Sequence, residues 1–234
     1  MHYAIIAAGE GSRLVGEGLN VPKPLVDLDG RPMIKRLIDI MMECGAESLS
    51  VIVNEQMTEV REYLEGLRLP VPFHIVVKST PSSMHSFYEV SRVFPAGAAK
   101  FVLTTVDTIF RPEDFRAYVN AFESSEQIDG LMGVTDYIED EKPLYVEVDE
   151  ADMNILGFKD ADYPGSKYIS AGIYGLTPKG ISVLGQCLEA GVSRMRNYQR
   201  ALISAGLRLE AFAFGKVIDV DHLSDIQRAK ELLK

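Results

Sequence analysis

Tyr3-Ala4-Ile5-Ile6-Ala7-Ala8-Gly9-Glu10-Gly11-Ser12-Arg13-Leu14 stands near the start of this chain, and Pro22-Lys23-Pro24-Leu25 follows shortly after it. The first six residues are an apolar run short enough to be one buried β-strand. The run breaks into Gly9 and Gly11, residues that let a backbone turn sharply and approach a ligand closely. Successive backbone N–H groups after a buried strand form an anion nest, and Arg13 and Lys23 are cations that such a loop would aim at phosphate oxygens. Glycines after a strand also make plain strand-to-helix turns with surface cations. Lys23 favours the phosphate reading, because Pro22 and Pro24 stiffen the backbone around a residue that must point inward. Leu14 stands where a G-x-G-x-x-G fingerprint needs glycine, and Gly16 is followed by Glu17 and Gly18 rather than the Lys-Ser/Thr of a Walker loop.

Outward from that loop, strands and helices alternate. Apolar strand candidates are 3–8, 49–53, 73–77 and 101–106, with amphipathic helix candidates at Arg31–Cys44, Thr58–Arg68, Ser83–Phe94 and Pro112–Ser124. This rhythm implies a parallel sheet covered by helices. Pro32 is expected in a first helical turn, Gly45 stops that helix, and Pro112 opens another. From Gly130 the pattern turns to strands at 130–135, 143–149, 154–159 and 167–176. Helices return at Pro178–Glu189 and Arg194–Ala205, then short strands at 208–214 and 216–220 and a closing helix. The chain reads as a single domain over 1–234, with a nucleotide-binding portion at 1–128 and an acceptor-binding portion at 129–234. Ligands of open sheets bind at the carboxyl ends of the strands, which puts residues 9–25 and 106–111 on one edge.

A formal net charge of −10 argues against a sequence-independent nucleic-acid binder. Residues 136–152 carry Asp136, Glu139, Asp140, Glu141, Glu147, Asp149, Glu150 and Asp152 against Lys142 alone, and read as a solvated hairpin. Residues 1–36 carry five basic residues against four acidic ones, so the phosphate end is slightly positive within an acidic chain, as an anion site requires. Cys44 and Cys187 have no paired spacing and no neighbouring histidines, which points away from zinc and toward a reducing cytoplasm. No run approaches the ~20 apolar residues of a membrane span.

Asp107 follows the buried run Phe101–Val106, and Ile218-Asp219-Val220-Asp221 places two further carboxylates after another apolar strand. Asp107 can be a turn or cap residue ahead of Pro112, and Asp221 a cap of the last helix. Together they also suit Mg²⁺, which takes one or two carboxylates plus substrate phosphates and waters.

Ala7-Ala8-Gly9-Glu10-Gly11-Ser12-Arg13-Leu14 with Pro22-Lys23-Pro24-Leu25 resembles the signature of sugar-phosphate nucleotidylyltransferases, and the strand pattern with Asp107 extends the resemblance to nearly the whole chain. The resemblance implies a mixed, mostly parallel Rossmann-like α/β sheet with helices on both faces and a β-rich acceptor-binding portion in the second half. It implies triphosphate contacts for Arg13 and Lys23, and Mg²⁺ on Asp107 and on Asp221 or Asp219, with Asp221 favoured by the Asp-x-x-x-Asp-Ile ending. Ala7, Ala8, Gly9, Gly11, Ser12, Ser86 and Thr105 are its nucleotide-binding candidates. Ser170-Ala171-Gly172-Ile173-Tyr174 resembles an Asn-Ala-Gly-Ile-Tyr segment near the acceptor, with Ser170 in place of Asn. Gly157-Phe158-Lys159 resembles a Glu-Lys segment, with Phe158 in place of Glu. Ser170, Gly172 and Lys159 are thus acceptor candidates.

The expected reaction joins an NTP, UTP or CTP favoured, to a phosphorylated small-molecule acceptor, with Mg²⁺, and releases pyrophosphate. No nucleic-acid or membrane partner is expected. Two other classes fit some of the residues. A nucleotide-sugar-dependent glycosyltransferase would use Asp219-Val220-Asp221 as an Asp-x-Asp motif, but leaves Arg13 and Lys23 without a role. A non-catalytic nucleotide-binding module would bind nucleotide without turnover.

Overall fold

Both faces of the strand β1 (His2–Ala7) are buried, and the layers follow from its alternation. Tyr3, Ile5 and Ala7 enter one core, and Ala4 and Ile6 enter a second on the opposite face. A sheet with two apolar faces needs helices on each. The computed structural model describes residues 1–139 and 141–234, so Asp140 of the acidic stretch lies outside the described residues.

After β1 come the short helix α1 (Ser12–Gly16), a single 3₁₀ turn at Lys23–Leu25, and the two-residue strands β2 (Asp27–Leu28) and β3 (Arg31–Pro32). Helix α2 (Met33–Glu43) leads to β4 (Ser48–Val53), α3 (Thr58–Glu65) to β5 (Phe73–Val77), and α4 (Ser83–Ser91) to β6 (Phe101–Thr105). Then follow β7 (Thr108–Ile109), α5 (Pro112–Ser124), β8 (Gly130–Thr135), β9 (Tyr145–Val148), β10 (Ile155–Lys159) and β11 (Tyr168–Leu176). The chain continues through α6 (Pro178–Glu189), α7 (Met195–Ser204), β12 (Leu209–Ala213), β13 (Ile218–Asp219) and α8 (Leu223–Leu232).

Strands β5, β4, β1 and β6 lie side by side and parallel. The antiparallel β11 pairs with β6 along Ile173–Leu176 and with β9 along Tyr168–Ile169. Between those stretches Gly172 takes φ +71°, and the register against β8 shifts between Ser170 and Tyr174. This bulge re-aims the strand beside the carboxyl end of β6. A Cβ on Gly172 would lie 2.7 Å from Thr108 Oγ1 and 2.9 Å from Thr105 Oγ1, so only glycine fits there.

Helix α2 buries Met33, Ile34, Leu37, Ile38 and Met41, a helical stripe against one face of the sheet, and Gly45 (φ +70°) follows its end. Helix α5 begins with Pro112 at its first position and has Glu113 and Asp114 in the first turn, as the helix dipole favours. Pro32, expected inside a first helical turn, instead ends β3 and flanks α2, because its pairing with Asp27 holds it in extended backbone (φ −56°, ψ 139°). A third apolar cluster joins Leu14, Val26, Leu28, Met33, Ile109, Ile218, Val220 and Ala229. It clamps the glycine loop, the β7–β13 ribbon and α8 together, and so fixes the backbones that carry the site.

Candidate active site

The register pairs Ile6 with Thr105, so β1 and β6 release their loops on the same edge of the sheet. The chain moves from β1 to β4 on one side and returns to β6 on the other, and a crevice opens where the order reverses. The glycine loop enters it from β1 and Asp107 from β6. Gly11 has φ +62° and ψ +31°, a left-handed conformation, and a Cβ there would lie 3.0 Å from Lys23 Cβ. Gly11 therefore both turns the loop and admits the lysine. Leu14, 1 % exposed, pins the loop into the third cluster.

Lys23 is 8 % exposed, and its Nζ donates to Asp107 Oδ2 at 2.6 Å and to Asp221 Oδ1 at 2.8 Å. Arg13 Nη1 donates to Asp221 Oδ2 at 2.6 Å. Four residues from three parts of the chain thus form one charge network. Burial opposes the Lys23 ammonium, but the two carboxylates outweigh it and push Lys23 up to about 12. Burial likewise opposes charge on Asp107, yet the Lys23 ammonium and hydrogen bonds from Lys23 and Thr105 hold its carboxyl below the usual range.

Asp221 does not cap the last helix. His222 flanks α8 at the N-cap, and Asp225 Oδ2 accepts from the backbone N–H of both Asp221 (3.1 Å) and His222 (2.8 Å). Glu17 binds His222 Nδ1 (2.5 Å) and accepts from the Leu223 N–H (2.7 Å), tying α1 to α8. The strand expected over 216–220 is regular only at Ile218–Asp219, where Asp219 pairs with Thr108. Val220 donates its N–H to the Asp107 carbonyl at 3.1 Å, and the chain then turns Asp221 toward Lys23. Asp219 Oδ1 instead accepts from Thr108 Oγ1 at 3.1 Å, and Thr108 Oγ1 lies 2.7 Å from Thr105 Oγ1. The two aspartates thus face different partners, Asp219 the Thr108 hydroxyl and Asp221 the Lys23 and Arg13 cations.

Two clefts meet at Asp107 and Thr105. The larger, about 600 Å³, is lined by Ala8, Gly9, Gly11, Ser12, Arg13, Lys23, Ser86 and Asp221 on its predicted side. The second, about 310 Å³, takes Ser170, Gly172 and Asp219. Ala7 is buried one residue below the rim as the last β1 residue. Lys159 is not brought to either cleft. It sits on the outer strand β10, paired with Glu147 at 2.9 Å and over the Tyr163 ring at 4.4 Å. Part of the acidic stretch is not merely solvated: Glu141 lies 3.9 Å from Arg13 and 3.5 Å from His222.

Sequence reasoning missed several lining residues. Asn54, buried after β4, accepts from Ser79 Oγ (2.9 Å) and the Gln56 N–H (3.0 Å) and shapes one wall of the larger cleft with Thr80, Ser82 and Ser83. Arg194, Arg196 and Gln199 reach the second cleft from α7 and the residue before it. Arg194 has φ +72° and ψ +139°, a costly conformation for a residue with a side chain that nothing in its local sequence announces.

Asp107 and Asp221 offer hard oxygen donors suited to Mg²⁺. Among the described residues no group of three or more His, Cys, Asp or Glu gathers that could hold a metal ion. A metal on these two carboxylates would complete its shell with nucleotide oxygens and water.

Comparisons with known proteins show which family the chain is similar to. Residues 3–146 match the family described as the MobA-like NTP transferase domain. A 3-deoxy-manno-octulosonate cytidylyltransferase from Chelativorans sp. (strain BNC1) is 25% identical over 230 residues, 90% of this chain and 90% of that protein. The UTP–glucose-1-phosphate uridylyltransferase AglF of Haloferax volcanii is 22% identical over 100% of this chain and 97% of its own. The inositol-1-phosphate CTP transferase of T. maritima superposes with a TM-score of 0.81 at 21% identity, covering 100% of this chain and 97% of that one.

Proposed function

Because the chain belongs to the MobA-like NTP transferase domain family, and is a nucleotidyltransferase, we propose that it joins CTP or UTP to a phosphorylated sugar or related alcohol and releases pyrophosphate. The observation that carries this reading is the Arg13–Asp221–Lys23–Asp107 network, which lines the larger cleft and reaches the second through Asp107. One cleft suits a nucleoside triphosphate and the other a small acceptor, with the charge needed for phosphoryl chemistry between them.

The acceptor phosphate has a second pKa of ~6 and is largely dianionic at neutral pH. Its oxygen attacks the α-phosphorus, the bond from that phosphorus to the bridging oxygen breaks, and pyrophosphate leaves with the electron pair. No general base is required, so catalysis rests on positioning and charge neutralisation. Lys23 contacts the α-phosphate and incoming acceptor, and Arg13 the departing pyrophosphate. The backbone of Gly9–Ser12 cradles the phosphates, and Thr105 and Ser86 face the nucleotide. Asp107 and Asp221 would hold Mg²⁺, which when bound neutralises phosphate charge. Ser170 and Gly172 face the acceptor, with Asp219 held beside it by Thr108.

The nucleotide-binding portion spans 1–128 and the acceptor-binding portion 129–234. The free cysteines Cys44 and Cys187 suit a reducing cytoplasm. No helix among the described residues is long and apolar enough to cross a membrane. Incubating the protein and Mg²⁺ with each of four NTPs and a panel of sugar and alcohol phosphates, with pyrophosphate release as readout, tests the reading. Release with CTP or UTP and one acceptor is expected. Transfer from a ready-made nucleotide sugar without pyrophosphate would refute it, as would nucleotide binding with no turnover on any acceptor.

A further inference from the structure

Asp107 Oδ2 and Asp221 Oδ1 come from separate loops, and a single ammonium bridges them at 2.6 and 2.8 Å. A divalent ion on the same carboxylates needs oxygens at ~2.0–2.1 Å in near-octahedral array. An ammonium hydrogen-bonded to both oxygens and an ion coordinated by both would crowd one space, and two cations so close repel strongly.

Resting on the assignment of Asp107 and Asp221 as the metal's carboxylates, we propose that Lys23 and the divalent cation compete for one position. The ammonium holds the two carboxylates until a nucleoside triphosphate draws it onto its phosphates, and the metal then takes its place. This adds an order of binding to the reaction: free metal binds poorly, and metal with nucleotide binds well.

The local structure suits the exchange. Pro22 precedes Lys23 and Pro24 follows it, and the Leu25 and Val26 N–H groups bond to the Pro22 and Lys23 carbonyls at 2.8 and 3.1 Å. Those bonds fix the lysine backbone, and Gly11 lies against its Cβ. The torsions beyond Cβ are left to carry Nζ from carboxylates to phosphate. Triphosphate oxygens provide new partners, so a buried charge is never stranded when the pair opens. Asp221 also keeps Arg13 on its second oxygen, 2.6 Å away. That contact steadies the carboxylate while its first oxygen changes partner.

Mn²⁺ binding followed by electron paramagnetic resonance tests the exchange without turnover. Wild-type protein should bind Mn²⁺ alone weakly. Lys23→Met, and independently Lys23→Gln, should bind Mn²⁺ alone ~10-fold or more tightly than wild type, the worth of one charge-assisted contact. Adding Asp107→Asn to Lys23→Met should abolish the gain, whereas a general charge effect would persist. Separately, α,β-methylene analogues of CTP and UTP should bring Mn²⁺ onto wild-type protein through Asp107. If they do so while wild type and both Lys23 variants bind free Mn²⁺ equally, the exchange is wrong and the metal assignment stands. If no Mn²⁺ binds through Asp107 even with nucleotide, the assignment falls and the exchange falls with it.

Discussion

Gly11→Ala perturbs the phosphate loop at two scales that can be measured apart. The residue sits at φ +62°, where an L side chain costs ~1–2 kcal/mol. For a chain of this size each kcal/mol lowers the melting temperature by ~2–4 °C, so a fall of ~2–8 °C is expected. The new Cβ would also lie 3.0 Å from Lys23 Cβ. Ordinary carbon contacts are ~3.5–4.0 Å, so the lysine must retreat by ~0.5 Å. Its contacts of 2.6 and 2.8 Å to Asp107 and Asp221 have little slack for that shift. A misplacement of ~1 Å can cost ~10²-fold in rate, so half of it should lower turnover by ~10-fold. Thermal melts and pyrophosphate release, the latter at saturating substrate well below the melting point, provide the two readings. A lowered melting temperature with full turnover would refute the coupling of Gly11 to Lys23. Unchanged values of both would refute the conformational argument as well.

Lys23→Ala and Arg13→Ala should each lower turnover by ~10²-fold or more while the fold persists, since electrostatic donors at a reacting phosphate are commonly worth ~3 kcal/mol; near-wild-type rates in either would overturn its role. Asp221→Asn should raise the Mg²⁺ concentration needed for half-maximal rate far more than Asp219→Asn, because Asp221 reaches Lys23 whereas Asp219 is held by Thr108. A shift in the metal titration with Asp219→Asn alone would reverse that choice. The Lys23–Asp107 pair also sets a pH window. Asp107, held low, contributes stability that is present above its unfolded value of ~3.9 and lost as pH falls through the lower folded one. Lys23, raised to about 12, contributes fully below its unfolded value of ~10.4 and loses its share only as pH rises through the folded one. Stability from this pair is therefore flat across neutral pH, and urea melts of Asp107→Asn should lose less on acidification below ~pH 4 than wild type; an equal loss would remove the pair from the acid limb.

Local chemistry made much of the fold legible. Proline starts gave Pro112–Ser124 and Pro178–Glu189 the bounds they have in the structure, and mainly apolar runs marked the central parallel strands. The Pro32 pairing escaped notice because a two-residue hairpin has no period to read. The second cleft was less visible. Gln199 reaches it from α7 and Arg194 from the residue before that helix, and Asn54 reaches the first from just after β4, distances along the chain that no local pattern spans.

The sequence by itself determined that a buried strand ends in a glycine turn carrying Arg13, that Lys23 is braced by prolines, and that Asp107 leaves the carboxyl end of a central strand. Each of these depends on a few neighbouring residues and their backbone preferences. The closing segment's resemblance favours Asp221 over Asp219, but only tertiary structure shows which carboxylate meets Lys23 and Arg13. Asp219 and Asp221 are two residues apart, and a regular strand would aim both the same way. The ribbon with β7 pairs only two residues, Val220 bonds to the Asp107 carbonyl, and Asp225 takes the amides that open α8. Those contacts bring distant segments together, and through them Asp221 meets Lys23 and Arg13 while Asp219 stays with Thr108. Lys159 is the reverse case, since its neighbours resemble an acceptor segment but the position of β10 at the sheet's edge keeps it with Glu147 and Tyr163. A motif specifies which side chains are available, whereas strand order and packing decide which of them share a cleft.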